Sequence, residues 1–369
     1  MQPPAHAQHG PHHDFASTLP DTLAMPIDSD RLAPLSAVTV DAPARLHLGF
    51  LDPSGSLGRA FGSIGLVIEG RGTRVTARLA DDTTHIADAC SDAQRARVAQ
   101  YLERLHHAWG GPPVAIDIEQ APRAHCGLGS GTQLALAVGT AFARLAGVPA
   151  TSDTIARLLG RGARSGIGAL GFDHGGLIVD GGPARGARPQ DARMPPLLCR
   201  QPFPDAWRVV LVDDTSREGL HGDEERRGLA SLPPFPQTLA AHLCHLLMMR
   251  VLPGIAEQDF DAFADGISAV QQTIGEYFAP VQGGVYSSPA VARAIQAIAN
   301  QQKAGIGQTS WGPVGFAFVR SGDAAERALA AARAATRDTP SVVYAATVAR
   351  NRGATLAVAH THGCGVNVG

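Results

Sequence analysis

Runs in which apolar and polar residues alternate predict β-strands from residue 35 onward. The predicted strands are residues 35–41, 62–69, 72–78, 114–118, 175–180, 208–213, 315–320 and 342–348. Apolar residues at helical spacing predict helices at residues 94–109, 134–145, 153–164, 238–251, 260–277 and 324–336. Strands and helices interleave without a regular repeat, which predicts an α+β fold.

The two ends of the chain lack this periodicity. Residues 1–34 are rich in Pro, His, Ala and Asp, which predicts a disordered tail. A Pro- and Arg-rich connection at residues 183–204 separates an expected N-terminal domain (35–190) from an expected C-terminal domain (200–355). Residues 356–369 are expected to be a flexible tail. His360, His362 and Cys364 have a spacing that would suit a metal site on a strand, but their Gly-rich context favours a flexible terminus.

Composition limits the classes of function. The 369 residues carry a formal net charge of −2, without the basic excess of nucleic-acid-binding proteins. No apolar run reaches the ~18 residues of a membrane span, and the longest, residues 243–249, contains His245. Residues 1–34 do not have the pattern of a secretory signal. Five cysteines without a CxxC pair favour a reducing compartment. We therefore expect a cytoplasmic protein that binds neither nucleic acid nor membrane.

The strongest chemical signal is the glycine-rich run Arg-Ala-His-Cys-Gly-Leu-Gly-Ser-Gly-Thr-Gln at residues 123–133, between a predicted strand and a predicted helix. Glycines let the backbone approach a ligand, and the free amides of a helix N-terminus favour an anion. The candidate phosphate-binding residues are Gly127, Leu128, Gly129, Ser130, Gly131 and Thr132. Ser130 and Thr132 could offer hydroxyls to phosphate or Mg²⁺, and Thr132 could instead cap the helix.

This loop is neither a Walker P-loop, since the Gly-Lys-Ser/Thr is missing, nor a Rossmann loop. A GxGxxG does occur at residues 166–171, but between a helical and an extended run, the reverse of the Rossmann order. With one extra residue after Pro122, the loop resembles the Pro-x-x-x-Gly-Leu-Gly-Ser-Ser-Ala signature of the GHMP kinase superfamily. Residues 42–48, 165–168 and 307–315 resemble its other motifs, in order. The resemblance implies a two-domain α+β fold, with a ribosomal S5 domain 2-like N-terminal domain and a ferredoxin-like C-terminal domain.

Three departures from the kinase pattern are informative. Gly168 stands where many kinases of the superfamily have the Asp that activates the substrate hydroxyl, and glycine cannot accept a proton. Gly131 replaces a Ser of the phosphate loop, and His47 replaces an Asn of the first motif. One branch has these changes as its own pattern, the β-ribofuranosylaminobenzene 5′-phosphate synthases. The resembling blocks are residues 44–52, 55–65, 165–168, 276–284, 310–313 and 350–353.

That resemblance implies a ribosyltransferase of tetrahydromethanopterin biosynthesis. Such an enzyme joins 4-aminobenzoate, or 4-hydroxybenzoate in some relatives, to phosphoribosyl pyrophosphate, and CO₂ and pyrophosphate leave. The resemblance also suggests a homodimer, and Mg²⁺ is the expected cofactor. Two alternatives stay open: an ATP-dependent small-molecule kinase, and a non-catalytic binding protein on the same fold.

The candidate catalytic residues are Arg45, His47, Asp52 and Arg59. Arg45 and His47 are two positions apart, so on a strand they share one face. An arginine can bind a phosphate or carboxylate through two donors. Asp52, with Ser130, is a candidate Mg²⁺ ligand, or it could stabilise positive charge on the sugar. A surface salt-bridge network is the alternative for this cluster.

Weaker candidates for substrate contact lie in two other regions. Asp173 and His174 could replace the acid missing at Gly168, or could serve a turn. Gln282, Ser310 and Trp311 lie in or beside Gly-rich loops. Trp311, like its aromatic companions Tyr277 and Phe278, could stack on a benzoate ring or pack in the core. Asp213 and Asp214, which follow an apolar run, are interpreted as the end of a strand.

Overall fold

The computed structural model describes residues 35–87, 90–186 and 193–360. The strands are β1 (Leu35–Asp52), β2 (Phe61–Leu79), β3 (His85–Ile86), β4 (Val114–Gln120), β5 (Leu177–Asp180), β6 (Leu197–Gln201), β7 (Arg208–Asp214), β8 (Gly305–Gln308), β9 (Val314–Val319), β10 (Val342–Thr347) and β11 (Thr355–His360). The helices are α1 (Asp92–Trp109), α2 (Ser130–Leu145), α3 (Ser152–Leu158), α4 (Ile167–His174), α5 (Gly222–Ser231), α6 (Gln237–Leu246), α7 (Leu252–Ala256), α8 (Phe260–Gln282), α9 (Pro289–Gln301) and α10 (Gly322–Ala335). A π-helical turn, Leu247–Val251, joins α6 to α7.

The N-terminal domain is built on a bent sheet with the strand order β11-β1-β2-β4-β3. The long strand β2 serves two sets of partners: Arg74–Leu79 pairs with β4, and Ser63–Leu66 pairs with β5, which in turn pairs with β6. Helices α1 and α2 pack their apolar residues on one face of this sheet, around Val40 and Phe142. The turn from β4 into α2 therefore lies at the edge of a rigid layer.

The C-terminal domain contains an antiparallel sheet with the order β10-β7-β9-β8. This is the strand order of a ferredoxin-like domain, as expected. Side chains alternate across β7, so Val209 and Leu211 face the core that includes α8, while Val210 and Val212 face α9 and α10. A strand that is covered on both faces reads as a continuous apolar run, which is what the sequence shows.

The two domains share one hydrophobic core. Leu46 of β1 and Leu66 of β2 belong to the same buried cluster as Phe263 of α8 and Phe318 of β9. Because apolar burial is the main force that holds the domains together, their relative position is fixed by packing rather than by a linker. Functional groups from both domains can therefore be held in one site.

The structure corrects several sequence-based boundaries. The expected tail at residues 356–369 is wrong in its first part, because residues up to His360 form β11, which pairs with β1 and closes that edge of the sheet. The rest of that tail, and the predicted tail at residues 1–34, lie outside the described residues. The domain boundary also shifts, since β6 still belongs to the N-terminal sheet. Predicted helix 153–164 ends earlier, at Leu158, and the glycine-rich run after it forms α4.

One helical segment, Gln237–Ala256, is long and apolar enough to cross a membrane by length and composition alone. It combines α6, the π turn and α7, and buries Leu243, Leu247 and Val251 in the shared core. Core helices pass the same test, so this segment is weak evidence for a membrane span. The sequence analysis missed its length because His245 and other polar residues interrupt the apolar run.

Candidate active site

The glycine-rich loop leaves β4 and enters α2 with its backbone held open. Gly127 and Gly129 have φ angles of +91° and +80°, which favour glycine. A Cβ at Gly127 would lie 2.5 Å from the carbonyl oxygen of Thr309, so only glycine fits there. The amides of Ser130 and Gly131 have no acceptor within the described residues. They face a cavity of about 310 Å³, and free amides at a helix N-terminus suit an anion.

Arg45 extends from β1 beneath this loop. Its Nη1 donates to the carbonyl oxygen of Gly127 at 2.6 Å, while its buried Nε has no partner among the described residues. Burial lowers the pKa of Arg45 to about 10, which still leaves the guanidinium charged at neutral pH. Leu46, next along the strand, points into the core instead. Strand alternation thus places a cation at the phosphate loop, where an anion would satisfy its free donor.

His47 lies beside Arg45 and is 4% exposed. Burial, and then the charges of Arg45 and Arg164, lower the pKa of His47 to about 3, so its imidazole is neutral. The amide of Gly49 donates to its Nδ1 at 3.3 Å, which places the imidazole hydrogen on Nε2. Nε2 has no partner in the described part of the chain. His47 therefore offers a neutral hydrogen-bond donor in a dry setting.

This imidazole lines a small cavity of about 30 Å³ with apolar walls. Phe50, Ile274, Phe278 and Trp311 supply its apolar surface, and Phe50 and the His47 ring meet edge to face at 4.5 Å. The cavity adjoins a larger one of about 290 Å³, with which it shares the side chains Gln271, Ile274, Phe278, Gln308 and Ser310. The small cavity has room for about one water molecule, so an aromatic ligand would have to occupy the larger cavity, which combines apolar walls with a few polar groups.

Ser310 lies where the phosphate-loop cavity and the two aromatic cavities meet. Its φ of +54° is rare for a residue other than glycine, and its amide donates to the carbonyl oxygen of His47 at 3.2 Å. Next to it, Trp311 donates through Nε1 to Glu225 at 2.8 Å. Glu225 also pairs with Arg164. The domains thus meet at Ser310, between a polar and an apolar compartment.

Gly168, which stands where the kinase pattern has an Asp, has no room for a side chain in this structure. A Cβ at this position would lie 2.8 Å from Cγ2 of Thr132, which is closer than real side chains approach. The carbonyl oxygen of Gly168 accepts from Nε2 of Gln133 at 2.8 Å, so α4 is packed tightly on α2. The methyl group of Thr132 fills the space that an aspartate side chain would need.

Two of the predicted catalytic residues lie away from the phosphate loop. Both carboxylate oxygens of Asp52 accept hydrogen bonds within its own turn, from the amides of Ser54, Gly55 and Ser56 at 2.7–3.1 Å. Arg59 donates to the carbonyl oxygens of Gly181 and Gly182. Neither lines a cavity with the loop. A short Asx turn explains Asp52 better than a ligand role does.

The weaker candidates also separate into two groups. Asp173 and His174 end α4, where the side chain of Asp173 bonds to Ser152 and no contact joins them to the loop cavity. Gln282 does line the 290 Å³ cavity, and its Oε1 accepts from Gln308 at 3.2 Å. With Ser310 and Trp311, it is therefore brought to the site.

Several residues of the site carried no signal in the sequence analysis. Thr309 connects the domains, because its hydroxyl donates to the carbonyl oxygen of Gly127 at 2.9 Å and accepts from the amide of His47 at 2.8 Å. His125 and His221 stack at 3.6 Å beside the loop. Arg161 lines the cavity from the segment after α3. The position of Thr309 inside the expected glycine motif at residues 307–315 was the one available clue.

The described residues offer few of the oxygen ligands that Mg²⁺ needs. The hydroxyl of Ser130 has no hydrogen bond in the described residues and lines the phosphate-loop cavity. Asp52 is committed to its own turn, and the described residues contain no cluster of three or more His, Cys, Asp or Glu that could hold a metal. Mg²⁺ usually keeps waters and binds substrate phosphates with few protein ligands. This donor set suits a metal that arrives with a phosphorylated substrate.

Comparison with known proteins agrees with this fold. Residues 96–176 match the model of the GHMP kinases N-terminal domain, and residues 251–338 match that of the GHMP kinases C-terminal domain. Homoserine kinase from Cytophaga hutchinsonii superposes with a TM-score of 0.62 at 16% identity, over 87% of this chain and 98% of that one. Mevalonate diphosphate decarboxylase from Staphylococcus aureus also gives 0.62, at 13% identity, over 88% and 98%. These structures show the two-domain GHMP kinase fold, as predicted.

Relatives in sequence show to which family of GHMP-fold proteins the chain belongs. The β-ribofuranosylphenol 5′-phosphate synthase of Archaeoglobus fulgidus is 34% identical over 62% of this chain and 74% of its own length. The protein of that name from Methanothermobacter thermautotrophicus is 28% identical over 74% and 86%. The chain therefore belongs to the β-ribofuranosylphenol 5′-phosphate synthase family of GHMP-fold enzymes, which confirms the resemblance seen in the sequence.

Proposed function

We propose that this protein is a decarboxylating phosphoribosyltransferase of tetrahydromethanopterin biosynthesis. It condenses phosphoribosyl pyrophosphate with 4-aminobenzoate, or with 4-hydroxybenzoate, and releases CO₂ and pyrophosphate. The product with 4-aminobenzoate is β-ribofuranosylaminobenzene 5′-phosphate. The names of the relatives support the phenol form, and a competition between the two acids decides between them.

One observation carries this proposal: the cationic, phosphate-type cavity and the cavity of about 290 Å³, whose lining includes Phe278 and Tyr286, meet at Ser310. The first suits a sugar that bears phosphate groups, and the second suits a benzoate ring. A transferase that joins these two substrates needs both compartments within bonding distance of each other.

On the donor side, the loop amides and Arg45 bind phosphoryl oxygens. The bond from ribose C1 to pyrophosphate breaks, and negative charge develops on the leaving group. Donors that already point at that charge in a water-poor site lower the barrier. The hydroxyl of Ser130 would hold a Mg²⁺ that arrives on the substrate phosphates, and the metal would supply further positive charge there.

On the acceptor side, the aromatic walls hold the ring so that its carboxylated carbon faces C1. A bond forms between that carbon and C1, the bond to the carboxyl group breaks, and its electron pair restores the aromatic ring. The Nε2 hydrogen of neutral His47 binds an oxygen of the acceptor. Because His47 is uncharged, it does not oppose the positive charge that grows at C1.

The reaction is tested with carboxyl-labelled 4-aminobenzoate and 4-hydroxybenzoate, each with phosphoribosyl pyrophosphate and Mg²⁺. We expect labelled CO₂ and pyrophosphate in equal amounts. Arg45→Gln should lower kcat/KM by about a hundredfold or more, since a charged donor to the leaving group is lost. If the protein binds both substrates but forms neither CO₂ nor pyrophosphate, it is a binding protein and the proposal is rejected.

An ATP-dependent kinase is the alternative that the fold permits. The packing of Gly168 on Thr132 argues against it, since no carboxylate can occupy that place. Incubation with ATP and candidate alcohols should therefore yield no ADP above background. The reaction with phosphoribosyl pyrophosphate run beside it serves as the positive control.

We also propose that the protein acts in the cytoplasm as a homodimer. Both substrates are anions that a cell keeps inside its membrane. Light scattering of the purified protein should give twice the mass of 38.3 kDa per chain. A monomeric mass in an active preparation would reject the dimer without affecting the reaction.

A further inference from the structure

Three arginines line the phosphate-loop cavity without a carboxylate partner among the described residues: Arg45, Arg97 and Arg161. The acidic residue in the described lining is Glu225, which is already paired with Arg164. A half-buried guanidinium without a counter-ion is costly unless a ligand supplies the negative charge. The cavity therefore calls for an anion that carries several charges.

Two of these guanidinium groups lie close to glycines of the loop. A Cβ at Gly129 would lie 3.2 Å from Cζ of Arg45, and a Cβ at Gly131 would lie 3.5 Å from Nη1 of Arg161. Gly129 caps α2, and Gly131 lies in its first turn. Arg45 and Arg161 thus stand against successive points of the helix N-terminus, with the free amides of Ser130 and Gly131 between them.

Arg161 is held in this place by Tyr101. Its Nη2 donates to the hydroxyl of Tyr101, which in turn donates to the carbonyl oxygen of Gly131 at 3.4 Å. The Nε of Arg161 is buried without a partner among the described residues. Arg97 and Arg161 both line the cavity beside His125, whose pKa is lowered by burial, then by His221, and further by the charges of these two arginines. These two arginines therefore form a second cationic group at the loop.

We infer that Arg161, supported by Arg97, forms a second anion subsite across the loop from Arg45, and that the two subsites together bind the diphosphate of the sugar donor. This inference rests on the proposed function and assigns the leaving group to this end of the cavity. When the bond from C1 to oxygen breaks, Arg161 binds the oxygens of the departing pyrophosphate. It is a catalytic residue for that step because it touches the reacting group.

The test is calorimetric binding of inorganic pyrophosphate and of inorganic phosphate to the whole protein. Arg161→Gln should weaken pyrophosphate binding about tenfold or more while phosphate binding changes little, because only the longer anion reaches both subsites. Arg161→Lys keeps the positive charge but loses the forked set of donors, so its pyrophosphate affinity should lie between those of the wild type and Arg161→Gln. Arg157→Gln is the matched control, since this exposed arginine of the preceding helix pairs with Asp153 outside the cavity.

Equal pyrophosphate affinity in the wild type and Arg161→Gln would overturn the inference, whatever the enzyme does. The proposed function fails separately, if the wild type binds pyrophosphate but releases none from phosphoribosyl pyrophosphate. In an active enzyme, inhibition by added pyrophosphate should weaken in Arg161→Gln in step with its binding. Unaltered product inhibition would reject the subsite and leave the reaction standing.

Discussion

Residue 168 shows how a single side chain determines which chemistry a fold can carry out. We predict that Gly168→Asp creates no kinase and destabilises the protein by about 1–3 kcal/mol, because the new side chain overlaps Thr132. Urea unfolding measures the loss of free energy, and an ADP assay measures the activity. The double variant Thr132→Ala/Gly168→Ala should lose less free energy of unfolding than Gly168→Ala alone. The reason is that Thr132→Ala removes the methyl group that the new Cβ would contact.

Gly322→Ala is the control for this series, because a Cβ there meets nothing within 4 Å. Its free energy of unfolding should stay within about 0.5 kcal/mol of the wild type. A Gly168→Asp protein of wild-type stability would mean that the helices α2 and α4 are not packed as described.

His47 should make stability depend on pH. In the unfolded chain its imidazole takes up a proton near pH 6.5, but in the folded protein only near pH 3. Between these values the unfolded state binds more protons, so the free energy of unfolding falls as the pH falls, by at most about 1.4 kcal/mol per pH unit from this residue. His47→Asn should flatten that slope between pH 6.5 and 4.

Denaturant unfolding at several pH values measures this slope. His107→Asn, a change at an exposed histidine of α1, should leave it as in the wild type. An identical slope in His47→Asn and the wild type would contradict the buried, neutral state of His47.

The sequence predicted the side chains whose position follows from local rules. Arg45 and His47 lie together because the side chains of a strand alternate between its two faces. The glycine-rich loop leads into the N-terminus of α2, as its glycines indicate. Arg161 could not be found in this way, since it reaches the loop only through the packing of separate helices. The sequence did not show that the carboxylate of Asp52 has near partners in its own turn, which hold it away from the loop.

Helix α2 offers an N-terminus that no side chain caps, and Gly129 keeps it open. We predict that Gly129→Ala weakens the binding of inorganic pyrophosphate by about tenfold or more, because its Cβ presses on Arg45 and distorts the loop. Gly147→Ala is the matched control, with φ of +67° and nothing within 4 Å. Both variants should lose about 1–2 kcal/mol of stability from the left-handed backbone, but only Gly129→Ala should lose binding.

Elements with strong periodicity were predicted, and those that depend on tertiary contacts were not. Helix α4 contains Gly168 and Gly171, which disfavour a helix, yet it forms because burial against β2 and α2 stabilises it. Strand β11 looks like a tail until it pairs with β1. Neither partner is visible from the local sequence.

At the scale of the molecule, the chain returns to its first domain near residue 350. Arg350 is buried and donates to the carbonyl oxygen of Gly353 at 2.8 Å, with Asp41 and Glu69 at 3.5 and 3.4 Å. We predict that Arg350→Ala costs about 3 kcal/mol, since a buried cation is removed from Asp41 and Glu69 and the carbonyl oxygen of Gly353 loses its donor. Arg352→Ala, which removes an exposed partner of Glu69, should cost less than about 1 kcal/mol. Thermal and denaturant unfolding of both variants would show whether this order holds.

The shared core also explains why domain limits were hard to predict. The boundary expected near residue 190 and the C-terminal limit at 355 both assume that each domain is one continuous stretch. In the structure, β6 and β11 join the first sheet from beyond those limits. Composition marks the connecting segments, but it does not show to which sheet a returning strand adds.

The two cavities that meet at Ser310 draw much of their lining from different domains. The glycine-rich loop comes from the first domain, while Phe278 and Gln282, which line the aromatic side, come from α8 of the second. If the proposed function holds, substitutions on α8 and β8, which supply much of the lining of the 290 Å³ cavity, should change which ring is accepted while the glycine-rich loop keeps its shape.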